Sequence, residues 1–312
     1  MFSLDCAGID TQLGDSMYHV AAVLGGSLLW GLAWWPIRIL DSHGLEGSAL
    51  TLVVYGTPAI LLLPLTWRQR LQWISHWPML IAILLLGGVW NLSYMLAMIK
   101  GHAGRVVLLC YLSSAWSIVG GRIFLRESVG AQRWLSVMLS LLGAWMIVGT
   151  SPLGKTPVDP TDLLAIVCGL AHAGTNLLFR RVEEIPVVSK NTAMFLGAVC
   201  AAGIGLFGLD AGRTDATPLV WVAAGVFGML WVLSAESLTQ FGVSHLPVAR
   251  SSILLIAELP ITVISAALLA NEHLRALEMA GGALIMLATV TEILRREPIQ
   301  IEGSDVELSK AA

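Results

Sequence analysis

The chain has 312 residues, of which 56% are hydrophobic and 12% are charged, with a formal net charge of -3. Its mean hydropathy is +0.77, and a soluble core could not bury so much apolar surface, so the composition predicts a membrane protein surrounded by lipid. No basic run is present that would bind nucleic acid, and the four cysteines, which lack CxxC or metal-ligand spacing, are expected to be buried thiols.

Ten apolar runs follow one another along the chain, each about 20 residues long, as a helix that crosses a bilayer requires. They lie at approximately residues 17–40, 47–66, 76–99, 104–125, 129–149, 159–181, 187–208, 217–240, 247–269 and 274–295. The runs are continuous rather than alternating, which excludes a barrel of strands. The acidic N-terminus lacks the features of a signal peptide, so the first run is expected to stay in the protein. The predicted fold is all-α, a polytopic bundle of ten transmembrane helices.

Arginine and lysine residues are unevenly distributed between the predicted loops. With the N-terminus inside, eleven of them lie near the cytoplasmic ends of the runs and six near the opposite ends. Because basic residues accumulate on the cytoplasmic side, this bias predicts that both termini are cytoplasmic.

The two halves of the chain show weak internal similarity. Shifting the sequence by 145 residues places residues 108–127 on residues 253–272. Individual residues also match at shifts of 141, which pairs Trp90 with Trp231, and 142, which pairs Arg38 with Arg180. Spans one to five therefore correspond to spans six to ten, and an odd number of spans per repeat makes the second copy inverted in the membrane. We predict one repeat over residues 1–150, an inverted repeat over residues 151–296 and a polar tail over residues 297–312.

Several segments resemble a known transporter family. The ten spans in two halves, the LLWGLAWWPIR and GVWNLSYMLAMIKG segments, the CYLSSAW stretch and the glutamates after spans four and nine resemble the EamA-type branch of the drug/metabolite transporter superfamily, and within it the YddG-type exporters of aromatic amino acids. The resemblance implies export across a bacterial inner membrane without ATP hydrolysis. Members of that subfamily tend to carry a tryptophan-proline pair where this chain has Ser113 and Ser114, so other small cargos remain open.

Two ionisable residues inside the spans are candidates for binding, because such groups are costly in a bilayer unless paired or wetted. Glu258 lies halfway along span nine, two residues before Pro260, which frees a backbone carbonyl and allows a break in the helix. Its carboxylate could bind an ammonium group, or it could be a protonated hydrogen-bonding group. His172 in span six, with Asn176 one turn later, could bind a carboxylate or make an interhelical hydrogen bond. Glu236 lies nearer the cytoplasmic end of span eight, where gating or simple solvation explains it as well as binding does.

Aromatic and neutral polar residues complete the candidate site. Trp90 and Trp231 lie deep in the bundle at repeat-related positions, where they could line a central cavity or serve only as packing. The predicted substrate-binding set is Trp30, Trp90, Asn91, Tyr94, Tyr111, Ser113, His172, Asn176, Trp231, Ser234 and Glu258.

No constellation typical of an enzyme is found. HExxH, GxxxxGK[ST] and GxSxG motifs are absent, and we expect no catalytic residue, metal or cofactor. Glu127 and Glu272, each between two helices, are predicted to cap helix ends. The sequence thus favours a secondary transporter that exports a small organic molecule, above all an aromatic amino acid, by alternating access through a midplane cavity. The alternatives are an EamA-type carrier of another metabolite or a cationic drug, and a non-transporting intramembrane enzyme or receptor.

Overall fold

All regular structure in the described part of the chain is helical. The computed structural model describes residues 6–73, 76–124, 130–148, 159–182, 184–208, 214–246 and 254–293. The helices are α1 (Cys6–Leu32), α2 (Trp34–Ser42), α3 (Gly47–Arg68), α4 (Trp77–Lys100), α5 (Ala103–Cys110), α6 (Ser113–Phe124), α7 (Ala131–Val148), α8 (Pro160–Arg181), α9 (Val187–Gly208), α10 (Pro218–Val226), α11 (Leu233–His245), α12 (Glu258–Ala270) and α13 (Ala276–Ile293).

Ten apolar helical segments lie where the sequence predicted ten runs. Seven of them are long and apolar enough to cross a membrane, and the shorter apolar helices Trp134–Val148, Glu258–Ala270 and Ala276–Thr291 coincide with the fifth, ninth and tenth runs. The chain is therefore a multi-pass helical membrane protein. That all ten segments cross the bilayer stays a prediction.

Four of the apolar runs are not single α-helices. The first is interrupted at Ala33, the fourth at Tyr111 and Leu112, and the ninth at Ile256 and Ala257, while the eighth contains a π-helical segment at Phe227–Val232. These irregular turns expose backbone groups that a continuous helix would satisfy internally.

Partly buried ion pairs join the helix ends at one face of the bundle. Arg38, near the end of α2, pairs with Glu272, which follows α12, at 2.5 Å between Nη1 and Oε1. The Arg38 guanidinium also donates to the carbonyls of Met98 and Gly101, at the end of α4. Glu272 accepts the backbone N–H of Ala103 at 2.8 Å. The predicted capping role thus falls on α5, which Ala103 opens, and not on a helix adjacent to Glu272 in sequence; Glu127 lies outside the described residues.

A second ion-pair cluster lies at the same face. The Arg105 guanidinium donates to both carboxylate oxygens of Asp162, at 2.7 and 2.5 Å, and to Glu278 Oε1 at 2.7 Å. These residues lie in the first turns of α5, α8 and α13, and a bidentate arginine-carboxylate pair fixes their relative positions. Each ion pair connects the first half of the chain with the second half.

Close helix contacts are made at glycines. Gly197 of α9 packs against α4, where a methyl group at position 197 would overlap the Leu84 carbonyl and lie 3.0 Å from the Gly88 nitrogen. Small residues at such crossings allow helices in a membrane to approach closely.

The cysteine environments differ from one another. Cys110 and Cys168 are buried free thiols with their Sγ atoms 3.2 Å apart, as predicted. Cys200 is exposed, so the expectation of a buried thiol is wrong there, because position 200 lies on the outer side of α9. The side chain of Cys6 lies outside the described residues.

Candidate functional site

The interruptions of the fourth and ninth runs lie beside each other in the bundle. The turn at Tyr111 and Leu112 and the turn at Ile256 and Ala257 are 145 residues apart, the same shift that the sequence similarity indicates. In the ninth run the Leu259 N–H bonds to Ile256 at 3.0 Å instead of continuing the helix back to Leu255. The freed Leu255 carbonyl accepts the Tyr111 hydroxyl at 2.9 Å.

Glu258 is the first residue of α12, directly after this interruption. Its Oε2 atom lies 3.3 Å from the Tyr111 hydroxyl, so one tyrosine bridges the Leu255 carbonyl and the carboxylate. The Glu258 side chain is half-buried. The predicted break near Pro260 is therefore present, and it positions a carboxylate against neutral partners in the interior.

Tyr94 lies on α4 and faces the turn of α1 at Trp30 and Gly31 that packs against the start of α12. Only 8% of the residue is exposed, and its ring meets Trp30 edge-on, with centroids 6.2 Å apart and an interplanar angle of 90°. It is within electrostatic range of Glu258. Its hydroxyl has no hydrogen-bond partner in the described part of the chain.

Trp90 and His172 form a stacked pair between α4 and α8. Their ring centroids are 4.1 Å apart and the planes differ by 11°. Trp90 is one turn before Tyr94, so both rings lie on the same side of α4. Both members of the stack are half-buried, which leaves part of their surface available to a ligand.

Trp231 has a different role from its repeat-related counterpart. It lies in the π-helical segment, where its indole N–H donates to the Leu29 carbonyl at 2.8 Å and its ring lies 5.8 Å from Phe227. Leu29 precedes Trp30, so Trp231 holds the part of α1 that carries the Trp30 ring against Tyr94.

The remaining predicted residues are less directly connected to this group. Asn91 is buried and donates to the Gly87 carbonyl at 2.8 Å, so one of its donors is already used within α4. Asn176 is exposed, one turn beyond His172. Ser113 and Ser234 are half-buried near the fourth-run interruption and after the π-helical segment.

Two further buried residues near the site, Tyr55 and Glu236, were not part of the predicted substrate-binding set. Tyr55 of α3 is 1% exposed and lies within electrostatic range of Glu236 and Tyr94. Glu236 is 5% exposed and accepts the Gln240 amide at 3.0 Å, which excludes the simple solvation considered for a carboxylate near a span end. The position of Tyr55 inside the second apolar run could have indicated such a neighbour from the sequence, because a buried tyrosine hydroxyl needs a polar partner.

The described residues contain no group of three or more His, Cys, Asp or Glu side chains that could hold a metal ion. The arrangement offers one carboxylate, two tyrosine hydroxyls and several aromatic faces, a combination suited to binding an organic molecule rather than to covalent chemistry.

Comparison with known proteins gives three findings. The EamA-like transporter family matches residues 17–149 and again residues 159–291. The chain is 32% identical over 124 residues to a protein of Bacillus subtilis (strain 168) described as the uncharacterized transporter YdfC, a match that covers 38% of this chain and 40% of YdfC. A crystal structure at 15% identity superposes with a TM-score of 0.58, covering 89% of this chain and 99% of that one, and it supports the fold alone.

Proposed function

The chain belongs to the EamA-like transporter family, and from that premise we propose that it exports aromatic amino acids by alternating access across a bacterial inner membrane. The family makes it a membrane transporter of a small metabolite. The nature of the substrate, the position of its binding site and the mode of transport are our proposals.

The observation that carries the proposal is the pair of helix interruptions around Tyr111 and Glu258. In transporters built from repeats, discontinuous helices at corresponding positions of the two halves form the substrate site near the midplane. Here the two interruptions are separated by 145 residues, the offset between the two halves of the chain. The Tyr111 hydroxyl connects them through its hydrogen bond to the Leu255 carbonyl. A carboxylate at such a place is costly, and binding a cationic group would offset that cost.

The aromatic side chains around the carboxylate support an aromatic substrate. Trp30, Tyr94, Trp90 and His172 present ring edges and faces within one cluster, and offset or edge-on ring contacts contribute about 0.5–1.5 kcal/mol each beyond area burial. In the proposed complex the substrate ring contacts this cluster while its ammonium group binds Glu258.

The ion pairs at one face support alternating access. Arg38–Glu272 and Arg105–Asp162–Glu278 connect the two halves of the chain, so that face opens only if these contacts are broken. By the distribution of basic residues it is the non-cytoplasmic face. The structure would then represent a state closed on the outside, and rocking of the halves would exchange it for a state open there.

Counterflow in proteoliposomes tests the function. Purified protein reconstituted into vesicles preloaded with unlabelled tryptophan should accumulate labelled tryptophan from outside, while protein-free vesicles and vesicles preloaded with lysine should not. Absence of tryptophan, phenylalanine and tyrosine counterflow by folded protein would exclude the proposed substrate class.

A second substrate class is favoured by one observation. The described contacts of the Glu258 carboxylate are to a neutral hydroxyl, so an aromatic amine without a carboxylate would satisfy it equally well. Counterflow with labelled tryptamine distinguishes the two classes.

A further inference from the structure

The Tyr94 hydroxyl is a buried polar group that the fold leaves unsatisfied. It is one of five buried side-chain polar atoms without a partner among the described residues. Leaving such a donor unpaired costs about 1–3 kcal/mol. The unpaired hydroxyl belongs to the aromatic cluster proposed to contact the substrate, so a ligand that supplied an acceptor there would offset this cost.

The other tyrosine near Glu258 shows the contrast. The Tyr111 hydroxyl bonds to both the Leu255 carbonyl and Glu258, so it is satisfied within the protein. Tyr94 faces the same turn of α1 that packs on the Glu258 backbone, yet its hydroxyl has no hydrogen-bond partner among the described residues. Tyr111 therefore positions Glu258, and Tyr94 keeps its donor available.

We propose that the Tyr94 hydroxyl donates a hydrogen bond to a carboxylate oxygen of the substrate, and that this contact makes the site select α-amino acids over the corresponding amines. The inference rests on the proposed function and specifies which substrates its site accepts. It also replaces the expectation that His172, with Asn176 one turn later, binds the substrate carboxylate.

The geometry of an α-amino acid fits this pair of residues. Its ammonium and carboxylate groups are attached to the same carbon atom, so their protein partners must be neighbours. Glu258 and Tyr94 lie against the same turn of α1, where the Trp30 ring meets Tyr94 and Gly31 packs closely on the Glu258 backbone. Glu258 offers an acceptor for the ammonium and Tyr94 a donor for the carboxylate. The edge-on contact with Trp30 holds the Tyr94 ring in place.

Binding of tryptophan and tryptamine to the purified full-length protein tests the inference, with Tyr94→Phe as the variant and Tyr111→Phe as the matched control. The wild type should bind tryptophan more tightly than tryptamine. Tyr94→Phe should lose about tenfold or more in tryptophan affinity, because a hydrogen bond to a charged group is removed, while its tryptamine affinity stays the same. Its ligand-free Tm should be equal to or above that of the wild type, whereas that of Tyr111→Phe should fall.

Three results would overturn the inference. These are an unchanged tryptophan affinity in Tyr94→Phe, an equal loss for both ligands, and a wild type that binds tryptamine at least as tightly as tryptophan. The comparison of tryptophan and tryptamine binding by the wild type needs no variant, so it tests the inference even if Tyr94→Phe fails to fold. A wild type that binds and transports tryptophan without this selectivity would leave the proposed function standing and remove only the role of Tyr94.

Discussion

At the scale of single residues, polar side chains in this bundle differ in whether the protein satisfies them. The Trp231 indole N–H, the Tyr111 hydroxyl and the Asn91 amide each donate to a backbone carbonyl. The Tyr94 hydroxyl has no partner in the described part of the chain. Four other buried polar atoms among the described residues also lack a partner. Tyr94 differs from them in its contact with Trp30 in the candidate site, where we propose that a ligand completes its hydrogen bonding.

The tryptophan, the asparagine and the two tyrosines all belong to the substrate-binding set predicted from the sequence, but the sequence did not predict their hydrogen-bond partners. Depth along an apolar run identified Trp90, Trp231 and Glu258, since polar and aromatic groups inside a span need partners. The sequence treated Trp90 and Trp231 as equivalent because they are repeat-related. In the structure, one ring stacks on His172 and the other bonds to the backbone of α1, a difference that depends on neighbours distant in the chain.

The two tryptophans should therefore respond differently to substitution. Trp90→Ala should reduce tryptophan affinity by about three- to tenfold, since it removes the stacking face, with expression unchanged. Trp231→Phe should leave affinity nearly unchanged and lower Tm, because the hydrogen bond to Leu29 is lost at about 0.5–1.5 kcal/mol. Substrate titration and thermal unfolding measure both effects. Equal behaviour of the two variants would show that both rings have the same role.

At the scale of helices, interruptions in the apolar runs shape the site. Pro260 made the break in the ninth run predictable, because proline cannot donate to the carbonyl four residues earlier. The fourth run turns at Tyr111 and Leu112, where the sequence has neither proline nor glycine, so local propensity gave no signal. Only the 145-residue shift between the halves connects the two positions. The π-helical segment at Phe227–Val232 likewise has no local sequence signature.

Restoring a continuous helix in the ninth run should raise the stability of the protein and reduce its transport activity. Pro260→Ala returns a backbone donor and favours a continuous helix, so Tm should rise while tryptophan counterflow falls, because the Leu255 carbonyl would be drawn away from Tyr111. Pro64→Ala, at an exposed position near the C-terminal end of α3, is the matched control and should leave counterflow unchanged. Full counterflow in Pro260→Ala would show that the interruption is not needed for transport.

At the scale of the whole molecule, composition and periodicity were sufficient to predict a multi-pass helical protein, and the positions of the runs agree with the helices. The ion pairs could not be predicted in this way. The sequence indicated no partner for Arg38 or Arg105, whereas the structure pairs Arg38 with Glu272, 234 residues away. Such a contact depends on how distant helix ends meet, which the hydropathy of a single run does not encode.

The orientation of the molecule remains a prediction from its basic residues. His43, after α2, and Arg70, after α3, are exposed and lie at successive ends of the second predicted span. In intact cells a membrane-impermeant thiol reagent should label His43→Cys, and it should label Arg70→Cys only after the cells are made permeable. The reverse pattern would place both predicted cytoplasmic termini outside.

We propose that the substrate binds at the paired helix interruptions through Glu258. Glu258→Gln keeps the shape of the side chain and removes its charge, so substrate affinity should fall by at least tenfold in a protein that remains folded. Glu236→Gln, which changes another buried carboxylate in a different run, is the control and should change affinity much less.

Tryptophan binding, net flux and exchange by Glu258→Gln, measured together in the same preparation, form the most direct test. We predict weakened binding with a corresponding loss in both flux and exchange. Normal exchange with loss of proton-driven accumulation would instead assign Glu258 to proton transfer. Wild-type values in all three measurements would contradict the account, because Glu258 would then be a structural hydrogen-bonding residue.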